Sequence, residues 1–406
     1  MKIEDILIVE LCKKRKNIAL IENILQNSKI NLGRFLSKVD KHLVKPVVLS
    51  ELVKYHLPEP MKSEISAAAK EAVLNTVLLN QMILKECTRI QTALADHGIE
   101  CVLIKGLSLD FTGLRTVGDI DILVREKDLL AANKLVTLVD YNYVGDIMNP
   151  LVRKEEKKNI ALQMDWNNQF QYYNKKNALL LELHTNFFER SRVYEFDLDG
   201  LLNNINIFWD KRLWNEKLRS FVLCNEDLLL LMCLHTALKR APYSNQFVMR
   251  NALDIADLIQ QGIDWDRVLM ISGQLGVSSF VLFSLKLSRR LLDLEVPEHI
   301  ITDLNGQCTS GQRLCVTIHL GCFHDLVSSW FICTRLYKLL APFVYQKKWM
   351  PRLKGILLID LLFPPKRTMA SFFKLKWDNP FVYATYLLNP IRWTILIVRR
   401  IIAFFM

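Results

Sequence analysis

Hydrophobic positions follow two periods along the chain, and the change between them divides it. From Ser66 to Leu94, apolar side chains at Ala67, Val73, Leu74, Val77, Leu78, Met82, Ile83, Ile90 and Leu94 recur mostly three or four residues apart, the spacing of one helix face. Leu57-Pro58-Glu59-Pro60 interrupts the pattern just before it, so a loop leads into a long helix. Residues 1–95 read as helical throughout. The texture changes at Gly98. Glu100 to Lys105 is a short apolar run stopped by Gly106, and Val117 to Val124 alternates around two carboxylates. Both read as strands, since alternation sends successive side chains to opposite faces. Leu107 to Gly113 is predicted to make one or two helical turns and Glu126 to Leu138 a helix. Further strands are expected at Ala161 to Trp166, Phe170 to Tyr173 and Leu179 to His184, the first two as a hairpin across Asn167-Asn168. Residues 98–190 therefore form an α/β unit with a mixed sheet.

The helical period returns at Asn225, placed to cap a helix with Glu226 and Asp227 in its first turn. Helices follow over Phe247 to Gln260, Trp265 to Leu275 and Ser278 to Leu292. Prolines at 342, 351, 364, 365, 380 and 390 break the last segment. Its longest uncharged stretch, Asn379 to Ile391, is too short to span a bilayer, and Ile391 to Met406, with Arg392, Arg399 and Arg400, reads as an amphipathic or interfacial helix.

Composition sharpens this division. The chain has 406 residues, 51% of them hydrophobic, with 14 Gly and 12 Pro, which excludes wholesale disorder and gives material for two or three folding units. The formal net charge is +11, and residues 331–406 alone carry 13 basic and 2 acidic side chains, leaving residues 1–330 balanced. A nucleic-acid binder would spread its basic charge over the main domain, so no extended nucleic-acid contact is expected. The basic tail, with Phe372, Phe373, Trp377, Trp393, Phe404 and Phe405 among its cations, has two readings: peripheral contact with an anionic membrane, or a basic helical subdomain packed on the core. Nine cysteines without a C-x-x-C pair fit a reducing compartment. Acids in Met1-Lys2-Ile3-Glu4-Asp5 occupy the place of a signal peptide's positive region. The expectation is a cytoplasmic chain, with the tail able to reach the inner face of the membrane.

The chemistry concentrates in Lys105-Gly106 and, 13 residues after the glycine, Asp119-Ile120-Asp121. On a strand Asp119 and Asp121 share a face, about 7 Å apart along it, where they repel unless cations neutralise them. Hard oxygen donors at this spacing suit Mg²⁺, which completes its shell with water and substrate phosphate. Gly106 lets backbone approach a phosphate, and amides from Leu107 and Ser108 would face it. Glu182, in Leu181-Glu182-Leu183-His184, is the best candidate for a third acid, with Glu189 and Asp165 as alternatives if the strand register slips. His184 shares its face, where a histidine is ordinarily packed or hydrogen-bonded.

A glycine turn, a strand bearing D-x-D and a later strand with one acid resemble the DNA polymerase β-like nucleotidyltransferase superfamily. More narrowly, Val102 to Gly106, Gly113 to Val124, Leu181 to His184 and Leu253-Asp254-Ile255-Ala256-Asp257-Leu258 are similar to the bacterial uncharacterised nucleotidyltransferase family, often encoded near surface-polysaccharide genes; the resemblance covers roughly residues 65–300. It implies an α+β fold: a polymerase-β-like nucleotidyltransferase domain with a mixed sheet over 96–215, helical regions at 1–95 and 216–330, and a basic, aromatic-rich helical tail at 331–406. It also implies catalytic, metal-binding roles for Asp119, Asp121 and Glu182 toward one or two Mg²⁺, with an NTP as substrate. Lys105, Gly106, Ser108 and Arg115 would contact its phosphates, and an acceptor hydroxyl would receive the nucleoside monophosphate, as in surface-polysaccharide synthesis. The superfamily has Gly-Ser or Gly-Gly at the turn, whereas this chain has Gly106-Leu107 with Ser108 one place later. That departure leaves open a catalytically silent adaptor docking at the membrane surface. Arg115 is alternatively a loop cation paired with Asp110. His235 and Lys239, one helical turn apart, have two readings, a reach toward the nucleotide from the C-terminal helices or, as the ordinary case, a solvated face; Arg250 and Asp254 have the same spacing and read as a surface ion pair.

Overall fold

The structure is a computed structural model that describes residues 2–109, 112–144, 168–187, 204–238 and 249–321, together with positions 160, 164, 200–201, 344 and 380–388. It is a mixed α+β architecture with helices on both sides of the sheet in sequence. Four short helices open it, α1 (Ile3–Cys12), α2 (Ile18–Asn27), α3 (Leu32–Lys41) and α4 (Lys45–Leu52), followed by the 35-residue α5 (Met61–Ala95). No glycine or proline interrupts α5, so nothing breaks its hydrogen-bond ladder. It closes where Gly98 adopts φ +71° and Ile99 N–H returns to Leu94 O at 3.0 Å.

Among the described residues seven strands follow: β1 (Cys101–Leu103), β2 (Asp119–Val124), β3 (Asn142–Tyr143), β4 (Gln169–Asn174), β5 (Leu179–His184), β6 (Leu213–Asn215) and β7 (Ser220–Val222). They form one sheet in the order β3-β4-β5-β2-β1-β7-β6. Pairing is parallel between β2 and β5 and between β1 and β7, and antiparallel elsewhere. A 3₁₀ turn (Gly106–Leu109) follows β1, and α6 (Leu129–Leu138) follows β2. Among the described residues up to 321 there follow α7 (Asn206–Asp210), α8 (Asn225–Leu238), α9 (Met249–Gln260), α10 (Trp265–Gln274), α11 (Ser278–Leu292), α12 (Glu298–Gln307) and α13 (Ser310–Gly321).

One expectation changes. Phe170 to Tyr173 does not hairpin with the segment before it: both edges of β4 are taken, by β3 and by β5, and the hairpin runs through 175–178 into β5. The expected strand at 161–166 lies outside the described residues except for Met164, which sits in a turn. The β6–β7 hairpin had no alternating apolar run to announce it, yet it extends the sheet beyond β1. Most of the basic tail, and with it the membrane-surface reading, lies outside the described residues. Among those described, no helix is long and apolar enough to cross a membrane.

Alternation along the strands divides the interior in two. Ile120, Ile122, Phe170, Tyr172, Leu181 and Leu183 point to one face, packing with Ile83, Cys87, Ile90 and Leu94 of α5 and with Leu129, Ala132 and Val136 of α6. Val102, Ile104 and Leu123 point the other way, into a second core that joins α1–α4 to α8–α13. Helices α1–α4 and the helices from 225 to 321 thus share one interior, and the polar part of the same sheet face borders it.

Candidate functional site

Strand pairing alone brings the acids together. In the parallel β2–β5 register Asp121 lies directly opposite Glu182, and in the antiparallel β4–β5 register Gln171 faces Glu182 and Gln169 faces His184. Period-two alternation then puts Asp119, Asp121, Glu182, His184, Gln169 and Gln171 on one face, opposite the core formed by their neighbours. These residues form the floor of a cleft of about 270 Å³, except that His184 lies buried behind it. Lys105, Gly106 and Arg115 form one wall; Met232 and His235 of α8 and Arg250 and Asn251 of α9 form another, with Phe187 beside them.

The carboxylates are held in unlike ways. Asp121 is 3% exposed, and its Oδ1 receives the Lys105 ammonium and His184 Nε2, each at 2.9 Å. A carboxylate only accepts, so the His184 proton sits on Nε2 in this arrangement. Burial works against the charged form of Asp121, but Lys105 and His184 outweigh it and hold the carboxyl well below its ordinary range. Burial and Lys105 oppose charge on His184, yet its bonds to Asp121 and Glu182 raise its pKa. Glu182 accepts from Gln171 Nε2 at 2.8 Å and, more closely, from Gln169 Nε2, with His184 Nε2 3.4 Å away. Burial opposes its charge too, and His184 tips its pKa downward. The Asp119 carboxylate makes no hydrogen bond or ion pair among the described residues. Burial, then the charges of Asp121 and Glu182, push its pKa up to about 6.

Lys105 follows β1, where Ile104 N–H bonds Asp121 O at 3.2 Å, so the backbone pairing delivers the ammonium to the acid. Gly106 has φ +65°, a region that side-chain-bearing residues avoid, and a Cβ there would meet Val117 Cγ1 at 3.2 Å and Asp119 O at 3.4 Å. The loop into β2 is pinned by α5: Asn80 Nδ2 donates to Arg115 O at 2.8 Å, and Asn80 Oδ1 accepts from Val117 N at 3.1 Å.

Ser108 is the expected contact that the structure does not bring into the cleft; its hydroxyl donates to Lys105 O at 3.2 Å. Arg115 does line the cleft, but its partner is Asp254, gripped side-on from Nε at 2.8 Å and Nη2 at 3.1 Å, while Nη1 donates to Gly106 O at 3.1 Å. Asp254 therefore does not pair with Arg250 on a helix surface. It is 3% exposed and reaches across to the loop before β2, which explains its place in the 253–258 motif. Arg250 turns into the cleft, where burial and then the Arg115 charge lower its pKa. Gln169, Gln171 and Asn251 had no place in the sequence-based expectation, and Arg250 was expected on a surface ion pair; alternation in β4 was the available signal for the glutamines. His235 borders the cleft, while Lys239, Asp110, Asp165 and Glu189 lie outside the described residues.

Asp121, Glu182 and His184 offer ligand atoms that all lie within 4.8 Å of one another, the one such buried cluster among the described residues that could hold a metal ion. With the unengaged Asp119 carboxylate on the same floor, the donor set fits a hard divalent cation, two or three carboxylate oxygens beside open cleft. His184 would join it only by giving up its Nε2 proton.

The family described as uncharacterised nucleotidyltransferase matches residues 28–293. Searches of curated proteins and of solved structures returned no match. The matched span is well over half of the chain and takes in every cleft residue from Lys105 to Asp254, and on that ground this chain belongs to the uncharacterised nucleotidyltransferase family.

Proposed function

We propose that the cleft transfers a nucleoside monophosphate from an NTP to an acceptor hydroxyl, on a domain of the polymerase-β-like kind. The observation that carries this reading is the convergence of Asp119, Asp121 and Glu182 on one face beside Lys105, Arg115 and Arg250. In the reaction the acceptor oxygen bonds to the α-phosphorus, the bond to the bridging oxygen breaks, pyrophosphate leaves, and the hydroxyl proton passes to a carboxylate of the trio. Asp119, Asp121 and Glu182 would hold one or two Mg²⁺. When bound, the metal supplies charge neutralisation and polarisation of the phosphate. The chain's own part is positioning. Gln169 and Gln171 fix the Glu182 carboxylate, Lys105 compensates Asp121, and Gly106 leaves room for backbone to meet phosphate. The acceptor class implied by the family resemblance is a sugar hydroxyl of a surface polysaccharide or its precursor.

A second reading, a catalytically silent adaptor, draws on one observation: Lys105 and His184 already neutralise Asp121 without a metal. One experiment separates the two. The full chain is incubated with α-labelled NTPs, Mg²⁺ and an acceptor extract. Labelled acceptor is expected, falling at least ~100-fold when Asp119→Asn is combined with Asp121→Asn. Turnover and Mg²⁺ dependence unchanged in that double variant would overturn the transferase reading.

A further inference from the structure

The two arginines of the cleft are committed differently. Arg115 spends its Nε–Nη2 edge on Asp254. The same edge of Arg250 makes no hydrogen bond among the described residues, and its Nε is buried without a partner. No carboxylate among the described residues lies within ion-pair distance of Arg250. The side chain is nonetheless anchored: Nη1 donates to Thr116 O at 3.2 Å, and the backbone N–H donates to His42 O at 3.3 Å. Thr116 is itself tied to α5 by a 3.0 Å contact between its hydroxyl and that of Thr76.

A fixed guanidinium, set beside a second guanidinium and with no carboxylate at ion-pair distance among the described residues, calls for an anion from outside. The free edge presents two parallel N–H groups, which match a pair of phosphate oxygens. Asp119, the acid without a partner, lines the same cleft, so one uncommitted anion and one uncommitted cation bound the same space. A metal-bound polyphosphate satisfies both at once, its cation toward the acids and its oxygens toward the arginine.

We propose that Arg250, contributed by the helical region, binds the polyphosphate of the NTP, while Arg115 is a positioning residue whose charge Asp254 has already neutralised. The proposal rests on the transferase reading. Its test titrates the full chain calorimetrically with magnesium tripolyphosphate, a probe without base or sugar, and with Mg-NTP, alongside label transfer on the same preparations. Arg250→Ala is expected to weaken both ligands roughly 10- to 100-fold and to raise KM more than it lowers kcat. Arg250→Lys, which keeps the charge but loses the two-pronged edge, should fall between. Thermal melts identify any loss of folding in Arg250→Ala, and the lysine variant then carries the comparison. Wild-type affinity for tripolyphosphate in both variants, with label transfer intact, overturns the role of Arg250 and spares the transferase reading. Absence of both ligand binding and transfer in the wild-type chain overturns the two together.

Discussion

At the scale of single residues, the site stores charge unevenly, and the unevenness is measurable. Asp121 and Glu182 are compensated by Lys105, His184 and two glutamine amides, whereas Asp119 takes the repulsion of both acids with no partner of its own. Burial first, and then that repulsion, raise its carboxyl from 3.8 to about 6. A group whose folded pKa is raised favours the fold below its unfolded pKa and loses that contribution as pH rises through the folded value. Asp119 by itself is therefore expected to withdraw stability from the metal-free protein between about pH 4 and pH 7. The shift caps this at ~3 kcal/mol, and solvent in the cleft reduces it to about 1–2 kcal/mol. Asp119→Asn should be more stable than wild type by that margin at pH 8 and equal to it at pH 4, as read by urea melts. Added Mg²⁺ should stabilise wild type at pH 8 and do less for the variant; an equal response in both would remove Asp119 from the metal site.

Among the elements, the register of three strands decides which side chains meet, and the turn after β1 supplies part of the cleft wall. Alternation made the D-x-D face legible from the sequence, because residues two apart on a strand share a side whatever the rest of the fold does. Which acid would join the pair was open among Glu182, Glu189 and Asp165 at the level of sequence, and hydrogen-bond register puts Glu182 opposite Asp121. The expected hairpin before β4 failed for a related reason, since an isolated apolar run carries no information about which edge it will occupy. At the turn, Gly106→Ala combines a positive φ with a 3.2 Å approach to Val117. A loss of about 1–3 kcal/mol is expected, with a fall in NTP affinity if the turn backbone meets phosphate. Chemical denaturation and ligand titration of the same variant measure the two effects. An alanine variant of wild-type stability would mean that the turn relaxes freely.

Over the whole molecule, the sheet and the helical core meet at the cleft, and a buried ion pair ties them across 139 positions of sequence, from Arg115 to Asp254. Breaking one half of such a pair strands the other charge in a dry setting. Asp254→Ala is expected to cost about 3–5 kcal/mol and to free Arg115, raising KM for NTP through a displaced loop. Equilibrium unfolding checks the first outcome and steady-state kinetics the second. A cost below ~1 kcal/mol would show that the pair contributes little to the joint. Because α1–α4 and α8–α13 share one core on this side of the sheet, damage there should propagate to the site more readily than damage in the core beneath α5 and α6.

The sequence by itself determined the elements and the local chemistry: the long α5, the strand carrying Asp119 and Asp121, the glycine turn, and the motif residues that announce the family. These are short-range properties, set by side-chain period and backbone preference within a few residues. Tertiary structure alone decided that Asp254 serves Arg115 rather than its helical neighbour Arg250, that Ser108 turns back on Lys105, and that two glutamines clamp Glu182. An arginine four residues from an aspartate reads as a pair until packing offers that aspartate a better-buried partner from a distant loop. That competition is settled by desolvation and geometry, which no local pattern records.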